Sequence, residues 1–302
     1  MKLTTFRAGD VERVGIALDD DRIIDLAHAS VALGHGAPEF RDLIGLLEAG
    51  NGALEQARNV LTAVAADAQM QRSPNVWSVA AVTLLAPIPR PRKFIGIGLN
   101  YKDHIAEQNA KTPASPLLFA KFATSIIGPY EDIEYPSFSE QLDYEAELAV
   151  VIGRRARSIS TAEALDYVAG YTVCNDVTAR DVQLRDRQWL RGKTPDRSTP
   201  LGPWLVTADE VPDPERLAIR LWLNDELLQE SNTDQLLFGI PELISFISEC
   251  ITLEAGDVIA TGTPGGVGFT RDPAVFMQLG DIVRVDVEGL GELRNGISSP
   301  SA

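Results

Sequence analysis

From Lys93 onward the chain breaks into many short β-prone runs, each closed off by glycine or proline: KFIGIGL, LLFAKF, ELAVVIG, YVAGYTVCN, GPWLVTA, LAIRLWLN, DVIATGTP and DIVRVDV. Only ALDYVAG and ELISFISEC between them read as short helices, and no repeat of fixed period is present. This spacing argues against a regular alternation of strand and helix. It predicts a mostly β, α+β domain with mixed strand pairing.

The preceding part has a different texture. Residues 1 to about 30 read as short strands and turns punctuated by Gly9, Gly15 and the Asp19-Asp20-Asp21 run. From Phe40 to about Ala66, apolar positions at Leu43, Ile44, Leu46, Leu47, Leu54, Ala57 and Leu61 predict amphipathic helices broken near Gly50-Asn51-Gly52. A small N-terminal α+β domain over 1–75 is therefore expected. The proline-containing stretch around Pro87-Ile88-Pro89-Arg90-Pro91 reads as a stiff linker, 76–92, into a catalytic domain over 93–298.

With 45% apolar residues in 302, a substantial core is available. Lys plus Arg total 27 against 43 Asp plus Glu, a net charge of −16, with no basic cluster to neutralise a phosphate backbone. A nucleic-acid partner is not expected. No apolar run is long enough to cross a bilayer and no secretion signal opens the chain, so no membrane partner and a cytoplasmic location are expected. Cys174 and Cys250 lie far apart without C-x-x-C spacing and read as ordinary buried thiols. The Gly-rich TGTPGGVG at 261–268 lacks the lysine of a phosphate-binding loop.

One strand carries an anomaly. In DYEAELAVVIG, Glu145 and Glu147 share a face with Ala149 and Val151, while Tyr144, Ala146, Leu148 and Val150 point the other way. If that face is buried, two neighbouring carboxylates require a cation or a proton. Asp176 ends the next apolar run, YVAGYTVCND, and three oxygen donors at strand ends suit a hard divalent ion such as Mg²⁺ or Mn²⁺. Taken alone, E-x-E fits better with the solvent face of an edge strand, and Asp176 with a turn or cap.

The three histidines divide. His28 and His35 fall in AHASVALGHG, without accompanying acids, and are expected at the surface. His104 in GLNYKDHIAEQ precedes Glu107 by three residues, so on a helical turn the carboxylate can orient the imidazole as a general base. An exposed helix start capped by Asn100 or Asp103 accounts for the same spacing. Lys193, in the turn-rich RGKTPDRSTPLGPW, is either an oxyanion-stabilising ammonium or a solvated loop residue. Thr261 and Thr263 either offer donors to a carboxylate or shape a turn.

In this order, KFIGIGLNYKDHIAE, DYEAELAVVIG, AGYTVCNDVTARDVQ, GKTPDRSTPLGPW and DVIATGTPGGVG resemble the fumarylacetoacetate hydrolase family over roughly residues 93–290. The resemblance implies a mixed β-sandwich roll with a small N-terminal domain, forming a homodimer. It implies that Glu145, Glu147 and Asp176 ligate Mg²⁺ or Mn²⁺. It further implies that His104 and Glu107 position water, that Lys193 supports an oxyanion, and that Arg180, Gln183 and Thr263 contact substrate. The implied reaction is metal-dependent hydrolysis of a C–C bond in a 2,4-diketo acid, such as an acylpyruvate, to pyruvate or a related 2-oxo acid. An oxaloacetate-type decarboxylase, an enol–keto isomerase and a non-catalytic metal-binding scaffold are the alternatives.

One block departs from the family pattern. Where many relatives read G-K-S-F-D-T-F, this chain has Gly192-Lys193-Thr194-Pro195-Asp196-Arg197-Ser198, losing both aromatics. Arg197 either reads a second anionic group of the substrate or is a surface replacement.

Overall fold

A computed structural model describes residues 1–36 and 41–300. Strands β1 (Lys2–Ala8), β2 (Val11–Ala17) and β3 (Arg22–Asp25) form an antiparallel ladder. Helix α1 (Leu26–Ala32) follows directly, and the sequence reading missed it: the Asp25 carboxylate caps it by accepting the His28 N–H at 3.2 Å. Helices α2 (Leu43–Glu48) and α3 (Asn51–Ala66) are broken where expected, at Gly50, whose φ of 78° suits glycine. Phe40, the expected start of this stretch, lies outside the described residues. Ala57, Val60 and Val64 bury one side of α3 in an apolar cluster with Leu3 and Ile16 of the sheet.

Strands β4 (Val76–Ser78) and β5 (Thr83–Leu85) pair with β3 and β1. The chain then runs through β6 (Phe94–Gly98), α4 (Lys102–Glu107), β7 (Leu117–Lys121), β8 (Ile126–Ile127), β9 (Ile133–Glu134), β10 (Leu142–Asp143) and β11 (Ala146–Ile152). Next come β12 (Val168–Asn175), β13 (Thr178–Ala179), α5 (Arg180–Arg185), α6 (Leu190–Lys193) and β14 (Thr199–Thr207). The last elements are β15 (Ala218–Leu223), β16 (Glu226–Asn232), α7 (Ile240–Cys250), β17 (Val258–Ala260), β18 (Ile282–Val287) and β19 (Gly291–Ser298).

Two sheets pack face to face. The larger runs β4-β3-β2-β1-β14-β12-β11-β17-β6-β7, so the N-terminal strands continue the same sheet as the later ones through β1 and β14. The smaller runs β16-β15-β18-β19-β9. Parallel pairs at β17/β6, β14/β8 and β19/β9 interrupt the antiparallel pattern, giving the expected mostly β, mixed sandwich roll. Leu148, Val150 and Ile152 of β11 share one apolar cluster with Leu221 and Val285 of the smaller sheet. Ala149 and Val151 join the other cluster, against the N-terminal helices. Each larger apolar side chain of this kind contributes about 1.5–3 kcal/mol by leaving water.

β11 is therefore a central strand buried on both faces, between β12 and β17. The solvent-face reading of Glu145 and Glu147 is excluded. Two smaller expectations also change. ALDYVAG is a single 3₁₀ turn, Ala164–Tyr167, whose last residues already belong to β12. Cys250, at the end of α7, is exposed, whereas Cys174 is buried as expected. Among the described residues no helix is long and apolar enough to cross a membrane.

Candidate active site

The alternation of β11 places Glu147 inside the molecule, 1% exposed, and Glu145 just before the strand, 4% exposed. Its antiparallel partner β12 ends at Asn175, which delivers the fully buried Asp176 to the same end of the sheet. The Asn175 side chain accepts the Glu145 N–H at 3.0 Å, and the Glu145 carbonyl accepts the Asp176 N–H at 2.9 Å. One oxygen from each of Glu145, Glu147 and Asp176 lies within 4.8 Å of the others.

Three cations answer these acids. Lys193, at the end of α6, donates to Glu145 Oε2 at 2.5 Å and Asp176 Oδ2 at 2.6 Å. Lys121, at the end of β7, donates to Asp176 Oδ1 at 2.6 Å. Arg180 donates to Glu145 Oε1 at 2.6 Å and, through Nε, to Asp143 Oδ2 at 3.0 Å. The buried acids Asp143, Glu145, Glu147 and Asp176 thus exceed the cations Lys121, Arg180 and Lys193 by one charge. Burial raises the pKa of Glu145, but Lys193 and Arg180 outweigh it and bring it to about 2. Burial pushes Glu147 well above the usual carboxylate range, and the charges of Asp176 and Glu145 push it further.

This donor set fits a hard divalent ion. All three donors are carboxylate oxygens, and the ionised form of Glu147, which burial and the two neighbouring acids disfavour, is the one a cation would stabilise. The same arrangement disfavours zinc, because among the described residues no histidine or cysteine joins the cluster.

A cavity of about 100 Å³ opens beside the acids. Of the residues singled out in the sequence, His104, Glu145, Glu147, Arg180, Gln183, Lys193 and Thr263 line it, while Asp176 and Glu107 lie immediately behind. A larger cleft, about 790 Å³, lies at the far ends of the same strands, around Arg58, Arg154 and Tyr167, and contains none of them. Chemistry therefore places the site in the smaller cavity.

The wall carrying His104 is held by backbone geometry. Leu99, with φ of 52°, turns the chain out of β6, and Asn100 ties the turn down through the Thr261 carbonyl at 2.8 Å and the Phe238 carbonyl at 3.1 Å. Neither Asn100 nor Asp103 caps α4, whose N-terminus begins after Tyr101 without a side-chain cap. The expected dyad forms, with His104 Nδ1 2.6 Å from Glu107 Oε1. The other Glu107 oxygen accepts the Gly266 N–H at 2.7 Å. Glycine-rich residues 262–266 thus serve carboxylates: Gly262 N–H donates to Glu147 at 2.9 Å and Gly265 N–H to Asp103 at 3.2 Å.

Other site features escaped the sequence reading. Lys121 closes an apolar run, where a lysine ordinarily marks a strand's exit to solvent, yet it is 3% exposed. Asp143 accepts from Arg180, Gly268 N–H and Phe269 N–H, fixing the arginine to the loop across the cavity. Gln229 bridges Ala146 N–H to Thr263 Oγ1. A signal existed for Asp143, an acid two residues before Glu145 in the same DYEAE stretch, but none for Gln229. Arg197 does not reach the cavity: it pairs at the surface with Glu134 at 3.0 Å and Glu131 at 3.4 Å. His28 is exposed as expected but does have an acid, Asp25, at 2.8 Å.

A mixed β roll that buries three carboxylates and their lysines beside a small polar cavity defines an acid-centred site that could hold a divalent ion. The chain belongs to the fumarylacetoacetate hydrolase family, since residues 93–298 match the profile described as fumarylacetoacetate (FAA) hydrolase C-terminal. It is 43% identical over 302 residues to the mitochondrial oxaloacetate tautomerase fahd2 of Xenopus laevis, covering 98% of this chain and 90% of that protein. The fumarylacetoacetate hydrolase of psychrophilic Exiguobacterium antarcticum superimposes with a TM-score of 0.83 at 35% identity, covering 99% of this chain and all of that one. The 5-carboxymethyl-2-hydroxymuconate delta-isomerase of Mycobacterium smegmatis does so with a TM-score of 0.75 at 32% identity, over all of both chains. Proteins like this one are thus enzymes named as tautomerases, hydrolases and isomerases.

Proposed function

We propose that the protein is a divalent-metal-dependent enzyme that interconverts the enol and keto forms of a small 2-oxo dicarboxylic acid of the oxaloacetate type. The observation that carries this reading is the cavity itself. About 100 Å³ bounded by Arg180, Lys193, Gln183 and Thr263 suits a four-carbon, doubly charged acid better than a long diketo acid. The tautomerase name of the Xenopus relative points the same way.

Glu145, Glu147 and Asp176 would hold Mg²⁺ or Mn²⁺, which when bound polarises the 2-oxo group and favours enolisation. Arg180, braced by Asp143 and Gln183, receives a substrate carboxylate. Lys193, an ammonium held between two carboxylates, serves as a donor to the oxygen that gains charge. The proton is moved by His104, whose Nδ1 is engaged by Glu107. Thr263 adds a hydroxyl on the opposite wall.

A second reading keeps one specific support. The His104–Glu107 pair at 2.6 Å is also what activation of water requires, which favours hydrolysis of an acylpyruvate to pyruvate and a carboxylic acid. A homodimer and a cytoplasmic location remain parts of the proposal, although the Xenopus relative carries a mitochondrial designation.

The test uses metal-stripped protein, with and without added Mn²⁺ and with Glu145→Ala as control. It follows the decay of enol-oxaloacetate absorbance, pyruvate release from oxaloacetate and pyruvate release from acetylpyruvate. Metal-dependent enol decay lost in the variant is the expected result. Pyruvate from acetylpyruvate alone would replace the proposal by the hydrolase, and pyruvate from oxaloacetate alone by a decarboxylase.

A further inference from the structure

Both ring nitrogens of His104 are engaged. Nδ1 lies 2.6 Å from Glu107 Oε1, and Nε2 lies 2.7 Å from the side-chain nitrogen of Gln108. An amide nitrogen can only donate, so Nε2 holds the lone pair that accepts the Gln108 N–H, and the ring proton sits on Nδ1, facing Glu107. Gln108 is the residue that ends α4, and its side chain lines the cavity with His104.

The amide therefore occupies the position from which a water would surrender its proton to this imidazole. A nucleophilic water needs hydrogen-bond contact with Nε2. It must compete there with a donor tethered one helical turn away, present at a high effective concentration. A charged substrate is in a different position: its carboxylates engage Arg180 and Lys193, and that binding can turn the amide aside. We propose that Gln108 withholds His104 from water and so directs this site toward proton transfer within the substrate and away from hydrolysis. This rests on the 2-oxo acid reading above.

The two reactions differ in what they ask of Nε2. In the enol-to-keto conversion a proton leaves the 2-hydroxyl and one arrives at C3. No carbon–carbon bond breaks and no water is consumed, and His104 can take and return the proton. In hydrolysis a water oxygen bonds to C4 of a 2,4-diketo acid and its proton passes to Nε2. The C3–C4 bond breaks with its electron pair left on C3, which is then protonated to give pyruvate beside the released carboxylic acid. Only the second reaction needs a water on the imidazole.

The experiment compares Mn²⁺-loaded wild type, Gln108→Ala and Gln108→Met by two rates on one sample: enol-oxaloacetate decay and pyruvate release from acetylpyruvate. The ratio is insensitive to any unfolded fraction. Gln108→Ala is expected to raise hydrolysis relative to tautomerisation by at least about tenfold, a part of the roughly hundredfold or more that a positioned base contributes. Gln108→Met, which refills the space without a donor, is expected to raise the ratio as well, because Nε2 is then open to the hydrogen bond of a water. An unchanged ratio in Gln108→Ala, or a rise in Gln108→Ala that Gln108→Met does not share, overturns the donor role of Gln108 while leaving the tautomerase standing. A wild type inert toward enol-oxaloacetate overturns the proposed function itself.

Discussion

The Lys121 ammonium, buried beneath the cavity, lies 2.6 Å from Asp176 Oδ1. Together with Lys193 on Oδ2, it engages both oxygens of this carboxylate. Removing one partner of a buried pair leaves the other charge without compensation, which costs about 3–5 kcal/mol. Lys121→Met is therefore expected to lower chemical stability by about that amount in metal-free protein. Mn²⁺ should restore part of the loss, because it supplies positive charge at the same acid. Denaturation curves with and without Mn²⁺ would show a larger metal-induced gain in the variant than in wild type, and an equal gain would refute the account.

Glu147 should behave in the opposite way. Its carboxylate is crowded by burial and by the charges of Asp176 and Glu145. Burial and like charges disfavour the ionised carboxylate, so a neutral amide of the same shape relieves that cost. Glu147→Gln is expected to raise the melting temperature of metal-free protein while abolishing both the Mn²⁺-induced shift and turnover. Calorimetry on the two forms checks both halves. A destabilised variant that still binds Mn²⁺ would sink the assignment.

Gln229 joins β11 to the 261–268 loop. Its Oε1 accepts from Ala146 N–H at 2.9 Å, and its Nε2 donates to Thr263 Oγ1 and to the Pro264 carbonyl, each at 2.9 Å. Gln229→Leu strands these buried groups, each worth about 1–3 kcal/mol when left unsatisfied. Expected outcomes are reduced stability and a raised KM, with kcat changed less, since Thr263 loses its support while His104 and Lys193 keep theirs. Steady-state kinetics showing kcat falling alone would contradict a role through Thr263.

How far the sequence carried this site depends on what kind of contact makes it. Period-two alternation and the end of the next apolar run single out Glu145, Glu147 and Asp176, but that pattern alone fits a solvent face better, and it is the resemblance of the whole set of blocks that makes them ligands. His104 and Glu107 were legible because three-residue spacing on a helix is a local relationship. Lys121 and Gln229 were not, because each meets its partner across the fold, 55 residues away for Lys121 and Asp176 and 34 for Gln229 and Thr263. Local pattern carries no trace of such pairs. The N-terminal strands show the same limit: their alternation was readable, but their pairing to β14 was not. Arg197 keeps two readings in the sequence for a related reason, since a motif position places a residue near a site without fixing where its side chain turns, and the structure selects the surface one.

Arg58 and Asp209 give a pH-dependent tie between α3 and the residues just after β14. The guanidinium holds the carboxylate by two short contacts, 2.8 and 2.7 Å. The hydrogen bond from Arg58 is the main cause that keeps the Asp209 pKa below its ordinary value. A folded-state pKa below the unfolded one means the unfolded chain takes up the proton first. The stabilisation is therefore complete above the unfolded aspartate value of about 3.9 and is lost as pH falls through the folded value. Asp209 is half exposed, at 49%, so solvent screening limits the effect to less than about 1 kcal/mol. Arg58→Met should flatten the acid limb of the stability profile by that small amount and leave stability at pH 7 lower by the same amount. A variant that parallels wild type at every pH would exclude the tie.

The size of substrate the cavity admits turns on Trp189 and Gly98. The Trp189 ring packs so closely over Gly98 that a methyl group there would collide with it, and Phe119 meets the indole edge-on at 5.9 Å between centroids. Lys193 Nζ in turn lies 4.9 Å from the centre of the Phe119 ring, so the indole lines the cavity while the phenyl ring behind it steadies the lysine. Trp189→Ala removes the wall and is expected to widen the accepted range: acetylpyruvate and longer 2,4-diketo acids should gain in kcat/KM relative to oxaloacetate by about 10-fold or more, the scale of one or two buried methylenes. Gly98→Ala should have the reverse effect, displacing the indole into the cavity and raising KM for every substrate. Competition assays across a chain-length series test both variants on the same footing. If the preference for four-carbon acids survives in Trp189→Ala, this wall does not set the limit, and the charged side chains Arg180 and Lys193 must define it by the spacing of the two anionic groups they receive.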